Sequence, residues 1–130
     1  MNLNITKVPS VKGIAKPRGS YSVYTRTDNL LLCSGQVAVD PETGEIPASF
    51  AAQLKLVLNN LKIILEDAGS TLDHVLKTTV FLKDPIYRNE FDEIYKTFFK
   101  NGYPARSTVA VNLMHPDFLI ELEAVALIPG

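Results

Sequence analysis

Hydrophobic and polar residues alternate near the end of the chain, and this pattern predicts a strand over residues 119–128. Successive side chains of a strand point to opposite faces of its sheet. One predicted face is wholly apolar and holds Ile120, Leu122, Ala124, Ala126 and Ile128. The other face is mixed, with Glu121 and Glu123 between apolar neighbours. Since a core face would not hold unpaired charge, we interpret the mixed face as a surface that meets another subunit and holds a small polar pocket.

A second strand is predicted just before it, over residues 106–112. Ser107, Val109 and Val111 fall on one face of this strand, and Arg106 and Thr108 fall on the other with Ala110 and Asn112. Arg106 and Glu121 are charged residues where a strand pattern favours uncharged ones. Two interpretations follow: the pair belongs to a functional site, or it is an Arg–Glu ion pair at the sheet rim with only a structural role.

Apolar residues at helical spacing predict a helix over residues 50–68, with Ser49 as N-cap and Gly69 as the stop. Residues 72–83 alternate and predict a strand. A second helix is predicted to begin with Asp84 as N-cap and Pro85 in its first turn, and to end at Asn101 and Gly102. Its aromatic stripe is typical of a core-facing surface.

The first third of the chain predicts strands over residues 2–8, 20–27 and 30–34. The element order is then strands, helix, strand, helix, strand, strand, which indicates an α+β fold, and we expect one domain over residues 1–130. Two helices cover only one face of one sheet. The other face is expected to keep Val125, Leu127, Ala110 and Tyr21 uncovered, and such an apolar area needs a partner. The pattern therefore predicts an oligomer without giving its number.

Composition narrows the class of protein. The net charge of −1 does not favour a nucleic-acid partner. No apolar run approaches the roughly 20 residues that span a bilayer, and the N-terminus lacks the order of a signal peptide, so we expect a cytoplasmic protein without membrane contact. Cys33 is the single cysteine, and with His74 and His115 as the only histidines no metal-binding spacing is present.

Eight short motifs occur in an order and spacing that resemble one known family. They are GSYS (19–22), LCSGQ (32–36), DPETGEIP (40–47), EDAG (66–69), VLKTTVFLKD (75–84), YKTFF (95–99), PARSTVAV (104–111) and IELEA (120–124). Together they resemble the RidA/YjgF/UK114 family over nearly the whole chain. The resemblance implies one mixed sheet of about six strands with two helices on one face (chorismate-mutase-like, YjgF type). It also implies a homotrimer with the sheets facing the centre and sites between subunits.

The resemblance further implies hydrolysis of reactive 2-imino or 2-enamino acids to 2-keto acids and ammonia, with no cofactor. Arg106 would bind the substrate carboxylate, because its planar fork matches a carboxylate and stays charged. Glu121 would position water and move its proton, with Glu123 as the competing carboxylate. The substrate-binding set implied by the resemblance is Tyr21, Ser34, Gly35, Arg106 and Thr108.

Three departures from the family pattern limit what the resemblance implies about substrate. Thr108 stands where some members carry Cys, a change expected to affect redox sensitivity more than deamination. Asp92 stands where many members have Asn, and Arg88 where many have Phe. Both are expected near the family's subunit contact, where they would alter packing or charge at the pocket mouth.

Three other functions remain open from the sequence. The same cleft would suit a non-catalytic protein that senses small carboxylates, and only Glu121 and turnover separate that function from catalysis. A specialised deaminase of a degradation pathway, with a bulkier substrate, is a further alternative. An RNA-acting protein fits less well, because a basic stripe with stacking aromatic residues is absent from the sequence.

Overall fold

One mixed six-stranded sheet forms the framework of the computed structural model, which describes residues 4–130. The strands are β1 (Thr6–Val8), β2 (Tyr24–Arg26), β3 (Leu30–Val37), β4 (Val75–Leu82), β5 (Ala105–Ala110) and β6 (Ile120–Leu127). Their order in the sheet is β1-β2-β3-β6-β4-β5, and among these strands only β4 and β5 run parallel. The helices α1 (Phe50–Asp67) and α2 (Arg88–Tyr95) pack on one face. This confirms the predicted α+β fold and its element order.

Helix α1 packs against the sheet through a stripe of apolar residues along one of its faces. The Ser49 hydroxyl accepts a hydrogen bond from the Ala52 amide at 3.1 Å, which caps the first turn as predicted. Gly69 follows the helix at φ +81°, a conformation that residues with a Cβ rarely adopt. The stripe is fully buried and comprises Leu54, Val57, Leu58, Leu61, Ile64 and Leu65.

The apolar face predicted for β6 is confirmed, because its five residues are all buried under the helices. The opposite face of the sheet is uncovered within the chain. Leu32, Val109 and Leu127 are exposed there. The prediction that Ala110 lies on this uncovered face is wrong. Ala110 pairs with the buried Leu82 and so points toward the helix side.

Several predicted boundaries are wrong in the N-terminal half. The strand predicted over residues 20–27 is reduced to β2, because the Ser34 hydroxyl donates to the Ser22 carbonyl at 2.7 Å and takes the place of a ladder partner. The strand predicted over residues 2–8 is observed only as β1, and residues 1–3 lie outside the described part. The strand predicted over residues 30–34 continues to Val37.

The predicted starts and ends in the second half also shift. A 3₁₀ turn over Leu72–His74 precedes β4, and another over Pro85–Tyr87 precedes α2. Helix α2 ends at Tyr95 instead of near Asn101. The next amides donate three residues back, Thr97 to the Ile94 carbonyl and Phe98 to that of Tyr95, so the helix tightens into turns. Within residues 4–130, no helix combines the length and apolar character that crossing a membrane requires.

Candidate functional site

A β-bulge in β3 shapes the first part of the candidate site. The register between β3 and β6 shifts between Cys33 and Gln36, which leaves Ser34 and Gly35 outside regular pairing. Glu121 pairs with Val37 on the neighbouring strand. A Cβ on Gly35 would overlap the Glu121 carboxylate, so only glycine leaves room for this close approach.

The bulge opens into a cavity of about 560 Å³. Four of the residues assigned to the site from sequence line this cavity: Tyr21, Ser34, Gly35 and Glu121. Further polar side chains come from the loop before β2, from α1 and from the loop before β6, namely Lys16, Arg18, Asn60 and His115. The arrangement places one carboxylate among several hydrogen-bonding groups in a concave, partly apolar site.

Burial raises the pKa of the Glu121 carboxyl above its usual value, and the nearby Glu123 carboxylate raises it further. A carboxylate with a raised pKa is a stronger proton acceptor than an ordinary surface glutamate. Glu121 is therefore suited to take a proton from a bound water. Glu123 lies on the same sheet face, but it is exposed.

The Ser34 hydroxyl is already committed as a donor. It donates to the Ser22 carbonyl at 2.7 Å, so a ligand finds acceptor lone pairs on this oxygen and no free proton. The Gln36 side-chain Nε2 donates to the Ser34 carbonyl at 3.2 Å, which holds the bulge in place. Tyr21 is more than half exposed and presents its ring at the rim of the cavity.

Arg106 lies in a different depression, of about 500 Å³, between β5 and α2. Its guanidinium forms an ion pair with the Asp92 carboxylate, with Nη2 and Oδ1 2.8 Å apart. The same group lies over the rings of Phe91 and Tyr95, 5.0 and 5.1 Å from their centroids. The Tyr95 hydroxyl shares a buried hydrogen bond of 2.8 Å with Thr78, which holds the aromatic platform against the sheet.

Arg106 and Glu121 point to opposite faces of the sheet. Arg106 pairs with Thr78, which is fully buried on the helix side. Glu121 pairs with Phe81 and therefore points to the uncovered side. The hypothesis of an Arg106–Glu121 ion pair at the rim is wrong, because Asp92 pairs with Arg106 instead.

Thr108 lies on the same sheet face as Arg106, and it does not line the bulge cavity. It pairs with Val80, which is buried on the helix side of β4. One chain thus brings Tyr21, Ser34, Gly35 and Glu121 together and keeps Arg106 and Thr108 away from them. Two copies are needed if these residues are to surround one ligand.

Asn60 and His115 were given no functional role from the sequence, yet both line the bulge cavity. Asn60 is buried three residues after Val57 in the apolar stripe of α1, and a polar residue at that spacing was the available signal. In the sequence, His115 stands out only as a possible metal ligand, and no metal-binding spacing surrounds it. Its Nδ1 accepts from the Asp117 amide at 3.0 Å, so a local turn role coexists with its place at the cavity.

Gln53 fixes the loop that leads into β6. Its side-chain amide donates to the carbonyls of Pro47 and Asp117, both at 2.8 Å, and its oxygen accepts from the Leu119 amide at 2.8 Å. The bonds with Asp117 and Leu119 join α1 to the segment just before Glu121, and the bond to Pro47 joins α1 to the loop that precedes the helix. The described residues contain no cluster of three or more His, Cys, Asp or Glu side chains that would hold a metal ion.

Comparisons with known proteins identify a family to which this chain is similar. A family model described as endoribonuclease L-PSP matches residues 13–128. A RutC family protein of Pyrococcus abyssi is 43% identical over 112 residues, which cover 85% of this chain and 88% of that protein. The 2-iminobutanoate/2-iminopropanoate deaminase of Escherichia coli is 41% identical over 115 residues, which cover 84% of this chain and 88% of that protein.

Solved structures show the same fold. The YjgF gene product of E. coli superposes with a TM-score of 0.87 at 37% identity, covering 94% of this chain and 98% of that one. E. coli TdcF with bound serine gives a TM-score of 0.88 at 34% identity with the same coverage. The sequence motifs, the sheet topology and these similarities together lead to one conclusion. The chain belongs to the RidA/YjgF family, whose sequence model is that of endoribonuclease L-PSP.

Proposed function

We propose that this protein hydrolyses reactive 2-imino and 2-enamino acids to 2-keto acids and ammonia, without a cofactor, in sites formed between copies of the chain. The observation that carries the proposal is the placement of Arg106 and Glu121 on opposite faces of the sheet. A guanidinium suited to a carboxylate lies on one sheet face, and a half-buried carboxyl with a raised pKa lies on the other. The similarity to the E. coli 2-iminobutanoate/2-iminopropanoate deaminase supports the same reaction.

Arg106 would hold the substrate carboxylate through paired N–H donors. Glu121, ionised, would orient a water molecule and accept its proton as the oxygen attacks C2. The C2=N bond becomes a single bond in the resulting tetrahedral amino alcohol. Return of that proton from Glu121 to nitrogen makes ammonia the leaving group. As the C2–N bond breaks and the C2=O bond of the keto acid forms, Glu121 takes the hydroxyl proton and passes it to the departing ammonia, which leaves as ammonium. An iminium acid and water thus give a 2-keto acid and ammonium with charge conserved.

The uncovered apolar face supports assembly of the chain with itself. Exposed Leu32, Val109 and Leu127 lie on the same face as Glu121. Burying this area against neighbouring copies would remove apolar surface from water. It would also allow a neighbour's Arg106 depression to approach the bulge cavity. We propose a homotrimer with shared sites, as the family resemblance implies, with no nucleic acid or membrane as partner.

A coupled assay tests the proposed reaction directly. An amino-acid oxidase or a pyridoxal-phosphate lyase generates the short-lived imine, and release of the keto acid is followed above the uncatalysed rate. We expect wild type to accelerate release and Arg106→Ala to lose about 10²-fold in kcat/KM, the order expected for a lost charge-assisted contact. Arg106→Lys keeps the charge without the planar fork, so it should recover only part of the rate.

Folding and assembly of each variant are checked by circular dichroism and size-exclusion chromatography. Full activity in a folded Arg106→Ala variant would contradict the assignment of the clamp. No acceleration by wild type with either small or bulky side chains would contradict the reaction. Ligand binding without turnover would then favour the non-catalytic carboxylate-binding function.

A further inference from the structure

The guanidinium proposed to bind substrate already carries an anionic neighbour. Asp92 Oδ1 lies 2.8 Å from Arg106 Nη2, and the Arg106 and Asp92 side chains remain 27% and 47% exposed. The contact joins one oxygen to one nitrogen, so the other guanidinium N–H groups stay available to a ligand. Phe91 and Tyr95 support the guanidinium by ring contact. The Arg106 guanidinium is therefore held in place by the two rings, and Asp92 occupies only part of its hydrogen-bonding capacity.

A carboxylate bound by Arg106 must lie close to Asp92. The two anions would share one guanidinium, and like charges at this range oppose each other unless a positive group or a hydrogen-bond donor lies between them. The atom attached to C2 of the ligand decides whether this repulsion between the ligand carboxylate and Asp92 is relieved. An iminium or ammonium nitrogen offers N–H donors and positive charge beside the carboxylate, whereas a keto oxygen offers only lone pairs.

We propose that Asp92 is a specificity-determining residue that accepts a hydrogen bond from the C2 nitrogen of the ligand. This inference rests on the proposed function of Arg106 as the carboxylate clamp. The Arg106–Asp92 pair would recognise the zwitterion formed by a carboxylate and an adjacent N–H cation. It would discriminate against the corresponding 2-keto acid, which carries the carboxylate alone. Asp92 would thus favour the protonated imine, the form most readily attacked by water, and promote release of the keto-acid product.

Two ligands with one carbon skeleton test the inference. Dissociation constants of 2-ketobutanoate and 2-aminobutanoate are measured by calorimetry or NMR titration on the intact wild-type protein and on Asp92→Asn. The amide has nearly the same shape and removes the charge. We expect Asp92→Asn to bind the keto acid on the order of tenfold more tightly. The amino acid should bind with unchanged or lower affinity, so that the ratio of the two constants shifts by at least that factor.

Glu90→Gln serves as the matched control, since Glu90 is an exposed carboxylate on α2 that lines neither depression. The control should leave the ratio unchanged. An equal change for both ligands in Asp92→Asn, no change for either, or the same shift in Glu90→Gln would overturn the inference.

The test also separates this inference from the proposed function. Failure of both ligands to bind wild type and Asp92→Asn would contradict the clamp and the inference together. A shifted ratio in a protein that shows no imine hydrolysis would leave the zwitterion preference standing and would refute only the reaction.

Discussion

The Glu121 carboxylate lies against the backbone of Gly35, in a position that a Cβ on Gly35 would overlap. Gly35 does not have a positive φ, so this glycine is required for space and not for backbone freedom. The bulge in β3 and the side chain on β6 therefore form one unit. Any substitution at Gly35 must displace the proposed base.

Gly35→Ala should lower kcat/KM by about 10²-fold while the fold is kept, because a shift of about 1 Å in a catalytic group has an effect of this order. The coupled imine assay measures it. The matched comparison is the double variant Gly35→Ala with Glu121→Gln against Glu121→Gln alone. If Gly35 acts through Glu121, the double variant should be no worse than the single one. Full additivity of the two losses would contradict this relationship.

The pH dependence of activity should report the carboxylate pair on β6. Burial and then the Glu123 charge raise the pKa of Glu121. Because the proposed mechanism needs Glu121 ionised, activity should fall on the acidic side as Glu121 takes up a proton. Glu123→Gln removes the like charge and should move this acidic limb of the kcat/KM profile to lower pH. An exposed distant variant, Glu42→Gln, should leave the limb in place. An unmoved limb in Glu123→Gln would contradict the contribution of the Glu123 charge, and an unmoved limb in Glu121→Gln would exclude Glu121 as the titrating base.

The single cysteine should be unreactive in the native protein. Burial raises the pKa of the Cys33 thiol to about 12, with a further contribution from Glu123, so roughly 10⁻⁵ of it is thiolate at neutral pH. A maleimide should label the protein only after unfolding, and mild oxidants should leave activity unchanged. Thr108→Cys should add a thiol that reacts in the folded state. Rapid native labelling of the wild-type chain would show that Cys33 is more accessible than its burial implies.

Sequence pattern was sufficient for the order of helices and strands because its main signals are local, whereas the single six-stranded sheet was implied by the family resemblance. The alternation in β6 and the apolar stripe of α1 each depend on residues close together in sequence. The apolar residues of both elements are buried, as predicted. The boundaries of β2 and α2 were not predictable in this way. The Ser34–Ser22 hydrogen bond joins residues 12 apart in sequence and ends a strand that local composition would extend.

The site was predictable in its residue types and not in its arrangement. Asp92 was recognised as a departure from the family pattern, but its partner was not. Its contact with Arg106 depends on how α2 packs beside β5. That packing cannot be derived from the spacing of residues along the chain. Likewise, the separation of Arg106 from Glu121 follows from the pairing of each strand with β4. That register is set by the whole sheet.

The proposed active site takes Arg106 from one copy of the chain and Glu121 from another. Mixing two inactive variants, Arg106→Ala and Glu121→Gln, by coexpression or joint refolding tests this sharing. In a cyclic oligomer assembled at random from equal amounts, about one interface in four would unite an intact Arg106 with an intact Glu121. The mixture should therefore recover about a quarter of wild-type activity. A mixture as inactive as its separate components would contradict a site shared between subunits.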